Sequence, residues 1–212
     1  MSLDRIACRV TSHRLAVMGA LHLAEDEVPG HRTLVLLGPD GPGFWAHFES
    51  QPEYRDARPD PMDRWSARVI TAVARDLGGT AIFPFGGPPW QPFIDWARRS
   101  GRAWPSPVGL LVHDTAGLMV SYRGAIALPE RFDLPPPGTR PCDSCADQPC
   151  RTACPVSALT PEGYDVPACR ADLDRPGNDC RARGCAVRRA CPVSQAHARP
   201  EAQSAFHMGY FG

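Results

Sequence analysis

The sequence predicts an α+β domain over residues 1–138, followed by a small cysteine-rich domain over residues 139–212. Three observations lead to this division. Apolar residues recur at helical spacing between residues 62 and 77. Strand-forming residues flank a turn within residues 108–128. Eight of the nine cysteines lie between Cys142 and Cys191, and a chain of 212 residues is long enough for one or two domains.

The first sixty residues carry the weakest pattern. Residues 14–24 are apolar and fit either a helix or a strand. Residues 33–37 are rich in β-formers and end at a Gly-Pro turn, which predicts a strand. Residues 44–61 contain scattered prolines and aromatic residues, and predict a loop with at most one helical turn. Cys8 lies far from the other cysteines, and we expect it to be a buried, small apolar residue.

The middle of the chain predicts two helices separated by a strand. The apolar stripe predicts a helix over residues 62–77, and the Gly78-Gly79 pair ends it because glycine commonly terminates helices. Residues 80–85 predict a strand that a run of glycine and proline interrupts. A second helix is predicted over residues 90–100.

A β-hairpin is predicted before the cysteine-rich segment. Its strands are residues 108–113 and 118–122, with the second continuing to residue 128, and residues 114–117 form the turn. Residues 129–141 contain five prolines, with one at each end, and predict a stiff connector.

Composition excludes several classes of function. The 23 basic residues balance 23 acidic ones, so we expect no nucleic-acid or membrane partner bound mainly by charge. All the basic residues are arginine, which rules out a catalytic lysine. The chain contains no run of eighteen apolar residues and no N-terminal secretory signal, and we expect a cytoplasmic protein.

The cysteines fall into two runs that each end in Cys-Pro: C-x2-C-x4-C-x3-C-P, then C-x10-C-x4-C-x5-C-P. This pattern resembles the two-cluster bacterial ferredoxins, and the resemblance implies two [4Fe–4S] clusters with ligands exchanged between the runs. It implies that the first cluster is held by Cys142, Cys145, Cys150 and Cys191. It implies that the second is held by Cys154, Cys169, Cys180 and Cys185. The first run has two extra residues, and Cys169 stands unusually far from Cys180.

Two alternatives for the cysteines remain open. Four thiolates also bind structural zinc, and zinc ribbons share the opening C-x2-C spacing. A disulfide framework would need an oxidising compartment. Four arginines alternate with the last cysteines in the sequence: Arg181, Arg183, Arg188 and Arg189. They either raise the reduction potential of the clusters and attract an acidic electron donor, or form a solvated helix face.

Residues 60–195 also resemble epoxyqueuosine reductase and the cobalamin-processing proteins in the order helix, strand, helix, hairpin, cysteines. This resemblance implies a flavin-reductase/nitroreductase-like α+β domain that binds a corrinoid (cobalamin), followed by a ferredoxin-like domain. The residues that it implies for the cofactor pocket are Phe85, Gly86, Trp90, Gly109, His113, Tyr122 and Arg123. Epoxyqueuosine reductases carry an acidic proton donor where this chain has Phe85-Gly86-Gly87-Pro88, so we do not expect epoxyqueuosine reduction.

Together these resemblances imply an iron–sulfur redox protein that delivers single electrons through two [4Fe–4S] clusters to a corrinoid in the N-terminal domain. The electron donor would be a flavodoxin, a ferredoxin or a reductase, and whether the chain is itself an oxidoreductase enzyme stays open. One alternative is a ferredoxin-type electron-transfer protein without corrinoid, whose N-terminal half only docks a partner or binds flavin. The other is a zinc-binding interaction module.

Overall fold

The structure, a computed structural model, describes Met1–Phe211 and has a mixed α+β fold with small antiparallel sheets. The helices are α1 Leu3–Thr11, α2 Gly43–Glu49, α3 Pro52–Arg55, α4 Pro61–Asp76, α5 Phe93–Arg99, α6 Val166–Leu173, α7 Cys180–Arg183, α8 Ala186–Ala190, α9 Pro192–His197 and α10 Glu201–Gly209. The strands are β1 Leu15–His22, β2 Thr33–Pro39, β3 Thr80–Ile82, β4 Ala103–Pro105, β5 Leu111–His113, β6 Gly124–Leu128, β7 Leu159–Thr160 and β8 Gly163–Tyr164.

The chain forms two compact units. The first contains residues 1–102 and 121–137, and the second contains residues 103–120 and 138–212, of which residue 212 lies outside the described part. The domain boundary predicted after residue 138 lies next to Gly138, where the second stretch of the second unit begins. The contacts of residues 103–120, however, place these residues in the second unit. Between Met1 and Phe211, no helix has the length and apolarity needed to cross a membrane.

The first unit is built on an antiparallel sheet with the strand order β1-β2-β6-β3. All seven residues of β2 are buried, because this strand has a neighbour on each side. Helix α4 confirms the predicted apolar stripe: Trp65 is fully buried and contacts the rings of Phe44 and Phe48 at centroid distances of 5.3 and 5.8 Å. The helix ends as predicted, with Gly78 at φ +70°, a conformation that glycine adopts at little cost.

Several predicted elements are confirmed and others are wrong. The strand at residues 33–37 and the helix at residues 90–100 are present as β2 and α5. The strand predicted at residues 80–85 ends at Ile82. Residues 44–61 are not a loop, since α2 and α3 lie there. Cys8 is exposed on α1 instead of being buried, because Ile6 and Val10 form the buried face of that helix.

The predicted hairpin is wrong in its pairing. Residues 111–113 pair with β4 in a separate two-stranded sheet. Residues 118–123 are not a strand, and β6 begins at Gly124 and pairs with β2 and β3 in the main sheet. The tight turn itself exists, because His113 and Gly117 exchange backbone hydrogen bonds of 2.9 and 3.0 Å. Residues 121–128 of the predicted hairpin therefore belong to the first unit, and its residues 108–120 belong to the second.

Glu27, in a loop of the first unit, is hydrogen-bonded to two residues of α5. Its carboxylate accepts hydrogen bonds from the Trp96 indole at 2.6 Å and from the Arg99 guanidinium at 2.5 and 2.9 Å. The hydrogen bonds from Arg99 are the main reason that the pKa of Glu27 falls to about 2. A carboxyl whose pKa is lower in the folded state stabilises the fold above its unfolded pKa, and this contribution disappears as the pH falls through the folded pKa.

We therefore expect Glu27→Gln to lower the free energy of unfolding at pH 7 by about 1–2 kcal/mol, a value reduced for partial exposure. The difference in the free energy of unfolding between the variant and the wild type should narrow below about pH 4.5 and vanish near pH 2. Urea unfolding followed by tryptophan fluorescence measures this difference. Asp95→Asn is the control, because Asp95 also pairs with Arg99 but is 57% exposed. An equal difference at pH 7 and pH 3 would contradict this account of Glu27.

Candidate functional site

Four thiols of the second unit line one cavity of 490 Å³. They are Cys142, Cys145, Cys150 and Cys191, the set that the ferredoxin resemblance implies for the first cluster. Two short 3-10 turns at Pro141–Asp143 and Pro149–Arg151 carry Cys142 and Cys150. The structure thus brings Cys191 to the three thiols of the first run, although the identity of their ligand stays a prediction.

Neighbouring thiols affect the electrostatics of two members of this group, Cys142 and Cys150. Burial raises the pKa of Cys142, and the neighbouring Cys150, Cys191 and Cys145 raise it further while Arg140 lowers it. Burial also raises the pKa of Cys150, with added contributions from Cys191 and Cys145. Several thiolates at one cavity therefore repel one another, and a bound cationic metal group would favour the ionised, ligating form.

One wall of the cavity is apolar. Cys150 and Cys191 are each 8% exposed and pack in a cluster of buried aliphatic side chains. The aliphatic members of this cluster are Val108, Val112, Leu118, Leu159 and Val187. Such a wall limits the access of water to anything bound at the thiols.

The tight turn of residues 113–117 positions the helix that follows Cys191. His113 is fully buried, and its Nδ1 accepts hydrogen bonds from the backbone N–H groups of Thr115 at 3.2 Å and Ala116 at 3.3 Å. The N–H of Leu118 then donates to the Ser194 hydroxyl at 2.8 Å. Ser194 is a site residue that the sequence analysis missed, because a serine two residues after Cys-Pro carries no signal of its long-range partner.

Two cysteines of the second group, Cys169 and Cys185, interact with Tyr164. The Tyr164 hydroxyl is hydrogen-bonded to Cys169. The pKa of Tyr164 is raised, mainly by burial and next by this hydrogen bond. Cys185 lies close enough to Tyr164 to raise that pKa further, and it also raises the pKa of Cys180, for which burial is the larger cause. The backbone N–H of Ala158 donates to the Cys154 sulfur at 3.2 Å, and Cys154 and Cys185 pack against the same aliphatic cluster.

The C-terminal aromatic residues lie over this second group. The Phe211 ring stacks on Tyr164 with a centroid distance of 5.9 Å and an interplanar angle of 14°. The Arg170 guanidinium lies 5.6 Å from the centre of the Phe211 ring. A cation over an aromatic face is attractive, so this contact helps to hold the tail against Tyr164.

The four arginines near the last cysteines do not form one unpaired basic face. Arg181 pairs with Asp174 at 2.8 Å, Arg183 pairs with Glu201 at 2.6 Å, and Arg189 pairs with Asp179 at 2.5 Å. Arg188 differs, because it is half-buried and donates to the Leu118 carbonyl. Burial lowers the pKa of Arg188, whereas Cys185 and Tyr164 beside it act in the opposite direction.

The first unit carries an open groove of 430 Å³ beside the end of β3. Its lining includes Glu27, Phe83, Phe85, Gly86 and Gln91. The rings of Phe83 and Phe85 stack with a centroid distance of 5.1 Å. The indole of Trp90, on the segment just before Gln91, is 68% exposed. The groove therefore offers aromatic surface with a few polar groups at its margin.

The structure divides the seven residues implied for a cofactor pocket between the two units. In the first unit, the buried Arg123 lies 5.8 Å from the centre of the Phe85 ring and hydrogen-bonds Asp63 and Ser66. Phe85 and Gly86 line the groove, whereas Tyr122 is half-buried. Gly109 and His113 belong to the second unit, where His113 stabilises the tight turn.

No group of three or more histidine, cysteine or acidic side chains in Met1–Phe211 is arranged to hold a metal ion. All nine cysteines are free thiols. No protein-family model, curated protein or solved structure matches this chain.

Gly117 tests whether the tight turn supports the thiol cavity. Its φ is +56°, and a Cβ at this position would lie 2.5 Å from the backbone nitrogen of Ser194. We expect Gly117→Ala to lower the thermal midpoint and to displace α9, because the strained backbone costs about 1–3 kcal/mol and the collision adds to it.

Gly109→Ala is the matched control. Gly109 has a similar φ of +75°, but its Cβ would meet only the Thr160 carbonyl at 3.6 Å. Differential scanning calorimetry and thiol titration with a chromogenic reagent measure both variants. Equal losses of stability in the two would show that contact with α9 is unimportant.

Proposed function

We propose that this chain is an iron–sulfur electron-transfer protein whose second unit holds two [4Fe–4S] clusters. The observation that carries the proposal is the cavity lined by Cys142, Cys145, Cys150 and Cys191, because it joins thiols from both cysteine runs. Each [4Fe–4S] cluster takes four Cys thiolates. Thiols that surround a cavity suit a cluster, whose four iron atoms each accept one ligand.

The chain contains the eight cysteines that two such clusters require. Cys142, Cys145, Cys150 and Cys191 would hold the first cluster, and Cys154, Cys169, Cys180 and Cys185 the second. When bound, the clusters supply one-electron transfer at potentials that reach far below zero. The aliphatic wall around Val112 and Leu118 would keep water from the first cluster. The free thiols favour a reducing compartment, and we propose a cytoplasmic location.

The proposed electron acceptor is a corrinoid bound by the first unit. The support is the resemblance to cobalamin-processing proteins together with the aromatic groove and the exposed Trp90 beside it. Large aromatic side chains bind planar macrocycles well, because stacking adds to the burial of apolar area. We propose a flavin-reductase/nitroreductase-like fold for this unit and a ferredoxin-like fold for the second. The electron donor would be a flavodoxin, a ferredoxin or a reductase.

Metal analysis tests the clusters directly. Anaerobically purified protein should contain about eight iron atoms and eight sulfides per chain and, after reduction, show the paramagnetic spectrum of [4Fe–4S] clusters. Cys191→Ser and Cys154→Ser should each lose about half of the iron or more, since each removes a ligand exchanged between the runs. Cys8→Ser is the control, because Cys8 is exposed on α1. Zinc at about two per chain without sulfide would contradict the proposal.

Titration with cob(II)alamin tests the acceptor. Binding should shift its absorption spectrum to the base-off form, and Trp90→Ala should raise the Kd about tenfold, the loss expected for one aromatic contact. Ile94→Ala is the matched control, since Ile94 is also 70% exposed but does not line the groove. If no spectral shift occurs in protein with full iron, the corrinoid proposal is wrong and the ferredoxin-type alternative is favoured.

A further inference from the structure

One carboxylate gives the groove beside β3 its charge. Among residues 1–211, the lining of this groove contains one ionisable side chain, that of Glu27, and no basic side chain. The other polar side chains of the lining are the Thr80 hydroxyl and the Gln91 amide, and both are neutral. The Thr80 hydroxyl is already hydrogen-bonded to His31 at 3.0 Å. A ligand in the groove therefore meets a negative charge and two neutral polar groups.

The hydrogen bonds of the Glu27 carboxylate are fully used inside the first unit. Its Oε1 accepts from the Trp96 indole at 2.6 Å and from Arg99 at 2.5 Å. Its Oε2 accepts from Arg99 at 2.9 Å and from the backbone N–H of Ala24 at 3.1 Å. Each oxygen of a carboxylate offers about two acceptor sites, and an indole has one donor. Glu27 therefore has no acceptor site left for a ligand, and the Trp96 donor is not available to a ligand anion.

The guanidinium beside Glu27 does not cancel the negative charge in full. Arg99 pairs with Glu27 at 2.5 Å and also with Asp95 at 3.2 Å. Two carboxylates and one guanidinium leave one negative charge in this group. The Glu27 side chain is 17% exposed, so water screens its charge less than that of a fully solvated acid.

Arg123 does not supply a compensating cation to the groove. Its guanidinium lies 5.8 Å from the centre of the Phe85 ring, but Arg123 is not part of the lining. It pairs with Asp63 and donates to the Ser66 hydroxyl at 3.1 Å. Its charge is therefore balanced by a carboxylate of its own.

We propose that Glu27 makes the groove selective for uncharged ligands, so that it binds corrinoids with amide side chains and rejects those with carboxylate side chains. Amides are neutral and both donate and accept hydrogen bonds, so they can pair with the Gln91 amide. A ligand carboxylate would lose water and be repelled by Glu27 without gaining a cation from the lining. Glu27 is thus a specificity-determining residue, and the inference rests on the proposed function.

Anaerobic titration with two corrinoids tests this selectivity. Cobinamide carries amide side chains, and cobyrinic acid carries carboxylates around the same ring. Quenching of tryptophan fluorescence gives the Kd of each. We expect the wild-type protein to bind cobyrinic acid about tenfold more weakly, or worse, at low salt. The difference should shrink at about 0.5 M salt, because salt screens the repulsion.

Glu27→Gln should bring the two Kd values to within about threefold of each other, since it removes the charge and keeps the shape. Asp26→Asn is the matched control, because it removes the same charge from an exposed neighbour outside the lining. It should leave the ratio of the two Kd values unchanged. Gln91→Glu is a second variant that does not depend on the stability of Glu27→Gln. It adds a carboxylate at an exposed position of the lining and should weaken cobyrinic acid binding further.

Equal affinity of the wild-type protein for the two corrinoids would overturn the selectivity and leave the proposed function standing. An unchanged ratio in folded Glu27→Gln, or in Gln91→Glu, would have the same meaning. If neither corrinoid binds to protein with full iron, both this inference and the proposed corrinoid acceptor are overturned.

Discussion

The second unit depends on holding several thiols at one cavity although they repel one another when ionised. Burial and, to a smaller extent, the neighbouring thiols raise the pKa values of Cys142 and Cys150, which disfavours their ionised forms. Their proximity must therefore be imposed by the surrounding chain. Prolines beside Cys142, Cys150 and Cys191 restrict the backbone at these points, because the pyrrolidine ring fixes φ. The aliphatic cluster behind them supplies the burial that stabilises this arrangement.

The cysteine grouping stays a prediction, whereas the predicted strand pairing is wrong. The resemblance to two-cluster ferredoxins, carried by the spacing and the Cys-Pro endings, implied that Cys191 joins the first run, and Cys191 lines the same cavity as Cys142, Cys145 and Cys150. This inference was possible because ligand spacing is a local pattern with a repeated form. The grouping of Cys154 with the second run has weaker geometric support, because the contacts of Cys154 are with Ala158 and the aliphatic cluster.

The errors have a common physical origin in long-range packing. The turn at residues 114–117 looked like the centre of a hairpin and does form a tight turn, but the strands beside it find other partners. Strand 124–128 is buried between β2 and β3, and burial outweighs the local preference for pairing across the turn. In the same way, Phe44 and Phe48 pack on Trp65, and this packing stabilises a helix of seven residues where the local sequence suggested a loop.

The assignment of residues 103–120 to the second unit follows from how the chain uses arginine. Arg188 and Arg199 are half-buried and donate to the carbonyls of Leu118 and Met119, respectively. Burial, and to a smaller extent the nearby Arg188, lowers the pKa of Arg199 to about 9, so the Arg199 side chain remains charged at neutral pH. A planar guanidinium can satisfy a backbone carbonyl and still pack its flat faces, which a lysine ammonium cannot do as well. Together with the hydrogen bond from the Leu118 N–H to the Ser194 hydroxyl, these contacts hold residues 118–119 against the C-terminal part of the second unit. A boundary drawn at the proline-rich connector misses them, because each joins residues at least 70 positions apart.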